Sequence, residues 1–435
     1  MKALSSINKD YLRHTSNNIF FRNQGQPPFR GIISFELLFV LFLFAGLYKG
    51  DPRLAWVPVD ITALFFGLSV ISGLVILLKR GIVLNRKAII LCLLYMAFAG
   101  YALFTYLWTP GKVYSTQKIL YIWTLVLWAV AAPALIISPD PRRLKRLGII
   151  FSFLLLVIVF EAIIQYFQGD YKGFINVLGS SYLGLGYVVG IGFLIIIAYL
   201  IYWSQSLTKK IMALILAFIY FWILLIAGGR GPLIATILAS LMPMIFAISI
   251  KPRARIIKIR RYFKFIFFII LIAFVLSLLF IETDQIPATL NRMLVLAGDD
   301  MGASAEARIQ SYKNAINYWS QAPLFGHGIG AWPIINNGID MRGYPHNIVL
   351  EIMAELGMVG LLLFTNMVIY ALSFISPFKT IGNSPIRVIL IMLLILSSVN
   401  TMISGDIPDN RLFFACIGLF PAISYLKGRK QQVNI

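Results

Sequence analysis

Charge is what this sequence has least of for its length. Of 435 residues only 13% are Asp, Glu, Lys or Arg, against about 25% in soluble domains. The hydrophobic share is 59% and the mean hydropathy +0.84, so the chain is an integral membrane protein rather than a soluble domain. Cysteine is nearly absent: Cys92 and Cys416 each lie inside an apolar run, which leaves neither a disulfide framework nor a thiolate metal site. Three histidines without HExxH or equivalent spacing offer no metal motif, and no cofactor is expected. Acidic residues are outnumbered 17 to 38 by basic ones, for a formal net charge of +21. Gathered on one soluble face that charge would suit nucleic acid, but here it is dispersed between apolar runs, and no nucleic-acid partner is expected. Residues 1–31 lack an apolar core and a small-residue cleavage site, so the first hydrophobic segment is expected to double as an uncleaved insertion signal.

Long apolar segments are what the sequence has in abundance. A span takes about 20 mostly apolar residues, and twelve segments qualify: 32–48, 57–78, 88–107, 119–137, 147–167, 182–202, 211–227, 232–250, 263–281, 356–374, 386–403 and 412–426. The expected fold class is all-α, a polytopic membrane protein with about 12 transmembrane helices and one large helical loop outside. Lys and Arg give the orientation, because cytoplasmic loops carry their excess. With both termini inside, 27 of the 38 basic residues fall on the cytoplasmic side, most densely in KPRARIIKIRRYFK at 251–264. The chain then divides into a cytoplasmic tail 1–31, nine helices within 32–281, an extracytoplasmic catalytic loop 282–355, three helices within 356–426 and a tail 427–435. No repeat at fixed period interrupts it, and one compact helical domain with one large insertion is the economical reading. Ionisable residues inside spans are functional candidates by default. Glu36 and Glu161 qualify, with Asp60 at an interface; the structural alternative for each is a carboxyl satisfied by a neighbouring helix.

The long polar interval carries the chemistry-bearing side chains. SAEARIQSYKNAINYWSQAP reads as a helix of about four turns, with Ser304 at its N-cap, Glu306 in the first turn and Pro323 beyond the end. Ile309, Tyr312, Ile316 and Trp319 recur at helical spacing as an apolar face. Arg308 flanks that face, placed to reach toward whatever the helix covers, or else to snorkel. LFGHGIG follows, its glycines marking a sharp turn or a close approach, and His327 among them reads as a loop residue rather than a catalyst. Pro345 at a first helical position would put His346 in the opening turn of a helix running through VLEIMAELGMVG. There the field of the helix N-terminus favours the neutral imidazole that a general base requires. At about 100° per residue, Glu351 and Glu355 share one face of that helix and point away from His346, so they are expected to anchor it to another element. GGRGP at 228–232 allows a tight turn into a helix whose free amides, with the Arg230 fork, favour a phosphate oxyanion; an interface-anchoring arginine is the plainer alternative.

YPHNIVLEIMAELGMVG, EARIQSYKNAINYWSQAPLFGHGIG and GGRGP, within a twelve-span layout with a large late external loop, resemble the O-antigen ligase and polymerase superfamily of bacterial envelope glycan transferases. The resemblance implies a multi-pass protein of the inner (cytoplasmic) membrane, its site facing the periplasm, that works without a metal. It implies as partners an undecaprenyl-pyrophosphate-linked glycan donor, membrane lipid and a saccharide acceptor, lipid A-core for a ligase or a growing glycan chain for a polymerase; both share the motif. Carried over residue by residue, His346 would activate the acceptor hydroxyl, and Arg230 and Arg308 would hold the pyrophosphate. The chemistry suits these residue types: a pyrophosphate leaving group needs fixed bidentate cations, and a hydroxyl attacking from the opposite face with a base of pKa near 7 inverts the anomeric centre. The alternative is a membrane transporter of a lipid-linked or anionic substrate, in which paired halves with interrupted spans and a midplane site are usual. A metal-dependent lipid-linked glycosyltransferase would want an acidic cluster in an early external loop, where only Asp51 and Asp60 stand.

Overall fold

A computed structural model describes residues 34–80, 85–169, 174–203, 206–243, 248–251, 256–259, 287–297, 303–375 and 384–425. From Phe35 onward the described residues belong to one unit, helical apart from one short hairpin. Seven described helices are long and apolar enough to cross a membrane: α2 (Ile61–Arg80), α3 (Arg86–Leu107), α4 (Val113–Ile137), α5 (Pro141–Gln168), α6 (Tyr182–Tyr202), α7 (Leu207–Ile226) and α12 (Ile348–Ser373). Three further expected spans are shorter apolar helices, α1 (Phe35–Tyr48), α13 (Pro385–Thr401) and α14 (Arg411–Leu419). The expected ninth span, 263–281, lies outside the described residues, as do the tails 1–31 and 427–435. The eighth, expected over 232–250, departs from its reading. Helix α8 covers Arg230–Ser240, and Ile248–Lys251 (β1) instead pairs antiparallel with Ile256–Ile259 (β2). Hydropathy alone does not separate a helix from a β-branched apolar run such as ISI and IIKI.

Helix α6 is the hub of the half that carries the GGRGP loop, packing on α7, α8 and α13. Its glycines explain why: a Cβ at Gly190 would strike Thr236 of α8, one at Gly192 would strike Tyr220 of α7, and one at Gly186 would crowd Pro232. Helix pairs in lipid gain little from hydrophobicity, so small residues that let backbones approach supply the contact instead. The other half is an aromatic core in which Tyr95 and Phe98 of α3 meet Phe364 of α12 and Phe414 of α14. The span carboxylates follow the structural alternative. Glu36 is fully buried and pairs with Arg143 at 2.8 Å, Glu161 pairs with Arg53 at 2.8 Å, and Asp60 accepts the Ala63 amide at 3.0 Å near the start of α2.

Candidate functional site

The GGRGP turn is built around Gly228, whose φ of 93° no branched residue adopts without strain and whose missing Cβ leaves room for Phe174. A short helix, α9 (Ala288–Ala297), is latched onto it from the loop region. Gly228 N–H donates to Thr289 Oγ1 at 2.8 Å, and that hydroxyl donates to Leu224 O at 3.0 Å. Arg292 Nη1 donates to Gly228 O at 2.8 Å, and Arg230 Nη1 returns a bond to Arg292 O at 3.1 Å. Each bond holds α9 and the turn in one register. The Arg292 guanidinium also lies 5.2 Å from the ring of Phe174 and 5.0 Å from that of Tyr182, which stack on each other. Arg292 went unread in the sequence, where it stands as a lone charge in a ten-residue amphipathic stretch.

Helix α10 (Ala303–Gln321) brings Arg308 to the same corner. The charges of Arg292 and Arg308 both act on Arg230, and that of Arg308 acts on His346 as well. No carboxylate pairs with these three arginines among the described residues. The helix begins one residue before its expected N-cap, so Ser304 lies inside its first turn. Its inward face also differs from the expected one. Ala315 is fully buried and Tyr318 packs beside it against Trp332 of the short helix α11 (Trp332–Asn337), Leu350 and Ala354, while Ile309 and Ile316 are 38% and 50% exposed. Residues that serve a lipid-facing surface are apolar too, so composition does not tell inward from outward here. Tyr312 keeps its expected inward place, its hydroxyl donating to Met402 O at 2.9 Å.

His346 is not helical, contrary to the sequence reading. Helix α12 starts two residues later, with Asn347 as its N-cap accepting from the amides of Val349 (3.0 Å) and Leu350 (3.2 Å). Asparagine's capping geometry outcompetes Pro345 for the helix start, and His346 is left with a φ of 60°. That left-handed conformation is unfavourable for a histidine by about 1 kcal/mol or more, and the surrounding contacts sustain it. Its ring meets Tyr344 edge-on at 4.7 Å, and its Nδ1 is buried with no partner among the described residues. Burial first, and the Arg308 charge second, hold the imidazole below its ordinary pKa. The neutral state expected from a helix N-terminus therefore arises from other causes. His327 is elsewhere, its Nε2 2.8 Å from Tyr318 O.

Beneath His346 the loop is bolted to the bundle. Helix α12 breaks at Gly357 (φ 64°), and LFGHGIG runs through the gap. Met358 and Val359 amides donate to Pro323 O (2.9 Å) and Leu324 O (3.2 Å), while His327 and Gly328 amides donate to Ala354 O (3.0 Å) and Glu355 O (2.8 Å). The glycines make the close approach that the sequence implied: a Cβ at Gly326 would strike Glu355 and Gly357, one at Gly328 would strike Thr109, and one at Gly330 would strike Ser115. Asp340 accepts the amides of Lys112, Val113 and Tyr114 at 2.7, 2.8 and 3.0 Å, a cap for α4 supplied by a distant segment, and those bonds hold its carboxyl below the usual range. Glu351 and Glu355 do anchor the helix, and their partner is one that sequence reasoning missed. Lys118 of α4, fully buried, places Nζ 2.5 Å from Glu351 and 2.6 Å from Glu355. One turn earlier Tyr114 donates to Asp406 at 2.5 Å, and Arg342 pairs with Asp409. At an apolar helix start Lys118 looks like a snorkelling side chain; its spacing from Tyr114 was the one available hint.

The fold and this corner define a multi-pass helical membrane protein that gathers arginines and a histidine where a loop folds back on the bundle. Residues 215–365 match the family model described as O-antigen ligase, a stretch that contains Arg230, Arg292, Arg308 and His346. The resemblance to the O-antigen ligase and polymerase superfamily is borne out over that stretch. No curated protein matches the chain.

Proposed function

We propose that the protein is a glycosyltransferase of the ligase or polymerase type that moves a glycan from undecaprenyl pyrophosphate onto a saccharide acceptor, with inversion and without a metal, at the periplasmic face of the inner membrane. The observation that carries this reading is that α10, whose Tyr312 hydroxyl donates to His346 O at 3.4 Å, brings Arg308 within electrostatic reach of both His346 and Arg230, three side chains from separate stretches. The arginines, unpaired with carboxylates among the described residues, would hold the pyrophosphate by bidentate hydrogen bonds and stabilise the charge that grows on it. The acceptor hydroxyl oxygen attacks the anomeric carbon from the face opposite the phosphate and forms the new glycosidic bond. The old bond to the phosphate oxygen breaks and undecaprenyl pyrophosphate leaves. The hydroxyl proton passes to His346, kept neutral by burial and by Arg308. The periplasmic placement of 282–355 is supported by the Lys/Arg asymmetry and by the apolar segment 263–281 as a span.

The test is transfer from an extracted lipid-linked donor to acceptor glycan by purified protein in excess chelator. Wild type should transfer, while Arg230→Lys and Arg308→Lys, which lose the planar fork, should fall at least tenfold in kcat/KM. Activity that needs magnesium or manganese, or folded lysine variants near wild type, would overturn the arginine roles. In cells, loss of all lipid A-linked chains on deletion identifies a ligase, and a single-repeat product identifies a polymerase.

A further inference from the structure

A cavity of about 260 Å³ lies between α1, α6, α13 and the turn that leads into α14. Its volume is below the roughly 300–1,000 Å³ of pockets for drug-sized ligands, room for a single ring rather than a chain. Its wall is mixed, with polar Tyr344, Asn400, Ser404 and Asp409 beside apolar Phe44 and Leu183. Tyr344 is shared with the site, since its ring is the one that meets His346.

The cavity wall is chemically unlike the arginine corner. Its one cation among the described lining residues, Arg411, is already engaged, with Nη1 donating to Phe42 O at 2.9 Å and the guanidinium 5.2 Å from the Phe42 ring. Asp409 adds a carboxylate. With Arg411 turned to Phe42 O and the Asp409 carboxylate paired with Arg342, the described wall presents no free arginine fork to a pyrophosphate. Asn400 and Ser404 have side chains with no hydrogen-bond partner among the described residues, so an amide and a hydroxyl, each both donor and acceptor, stand free in the wall. A neutral polyol asks for that combination: paired donors and acceptors around its hydroxyls, and an aromatic wall for the apolar face of its ring.

We infer that this cavity is the acceptor subsite, which takes the terminal neutral sugar of the acceptor glycan and presents its hydroxyl to His346 past Tyr344. The inference rests on the transferase reading and assigns the two substrates to two different groups of residues, the donor to the arginines and the acceptor to the cavity reached through Tyr344. No cation is needed on the acceptor side, because the acceptor's reacting group is an uncharged hydroxyl. Asn400, Ser404 and Tyr344 are then binding residues for the acceptor alone.

The experiment measures KM separately for the lipid-linked donor and for soluble oligosaccharide freed from the source cells' envelope by mild acid. Asn400→Leu and Ser404→Val should each raise the acceptor KM tenfold or more and leave the donor KM within twofold. Tyr344→Phe should keep, and Tyr344→Leu lose, acceptor affinity. A raised donor KM with an unchanged acceptor KM overturns the assignment, as does an effect confined to acceptors that retain a lipid, which would mark a lipid-chain pocket. Asn400→Asp, nearly isosteric but without the amide donors, serves if the leucine variant does not fold. If wild type transfers nothing, the transferase reading fails. Saturation-transfer NMR with the same oligosaccharide then judges the cavity alone: signal in wild type that Asn400→Asp abolishes supports it, and no signal in wild type overturns it.

Discussion

Lys118→Met should be among the most damaging single substitutions outside the arginine corner. The lysine is fully buried and its ammonium sits within 2.6 Å of two carboxylates that are themselves fully buried. Methionine fills nearly the same volume, so little packing is lost and the change is almost purely electrostatic. Two glutamates are then left in a low-dielectric interior with no cation, and removing one partner of such a pair costs about 3–5 kcal/mol. The second carboxylate places the expectation at the upper end of that range, tempered by the Gly330 amide, which still donates to Glu355 Oε2 at 2.8 Å. The assay is equilibrium unfolding of the purified protein in mixed micelles, followed by tryptophan fluorescence. Neutralising the carboxylates in the same background, Lys118→Met with Glu351→Gln and Glu355→Gln, should recover most of the loss. A single variant within 1 kcal/mol of wild type, or a triple variant no better than the single, would refute the reasoning. So would Glu355→Gln that abolishes turnover in a well-folded protein, since this cluster is assigned to holding α12 and not to chemistry.

Two further outcomes follow from the histidine. His346→Asn should lower turnover by about 10²- to 10⁴-fold, the usual worth of a general base, without loss of stability, because asparagine accepts a left-handed backbone more readily than histidine; His327→Ala should cost far less, and equal losses in the two variants would remove the distinction. The rate should fall as pH falls through the His346 pKa, which lies below the ~6.5 of free imidazole because burial and Arg308 disfavour the charged ring. Arg308→Gln removes that positive neighbour, so the acid limb should move to higher pH, and a limb that stays in place would separate the two side chains.

Most of the spans, and Arg230 and Arg308 as candidates, were legible in the sequence for different reasons. Long apolar runs announce themselves by composition, and GGRGP does so because glycines, proline and a single charge at a helix start have few plain uses. What escaped were properties that depend on a partner far along the chain. Arg292 matters through a carbonyl at Gly228, Lys118 through carboxylates more than 230 residues away, and Asp340 through amides of α4. Periodicity could not show that His346 leaves the helix, since proline and asparagine are both good starting residues and only the Asn347 cap decides between them. The outward turn of Ile309 and Ile316 escaped because a membrane protein has two apolar environments, not one.

The break at Gly357 makes a span that cannot be completed by its own residues. In hydrocarbon every backbone polar group has to be satisfied within the protein, and here the missing bonds come from residues 323–328, made earlier in synthesis than the helix they repair. The helix is complete only once this loop has folded against it. Exchange of this loop between relatives would leave carbonyls and amides exposed at mid-helix unless the helix moved with it, so loop and helix are expected to be inherited as one piece.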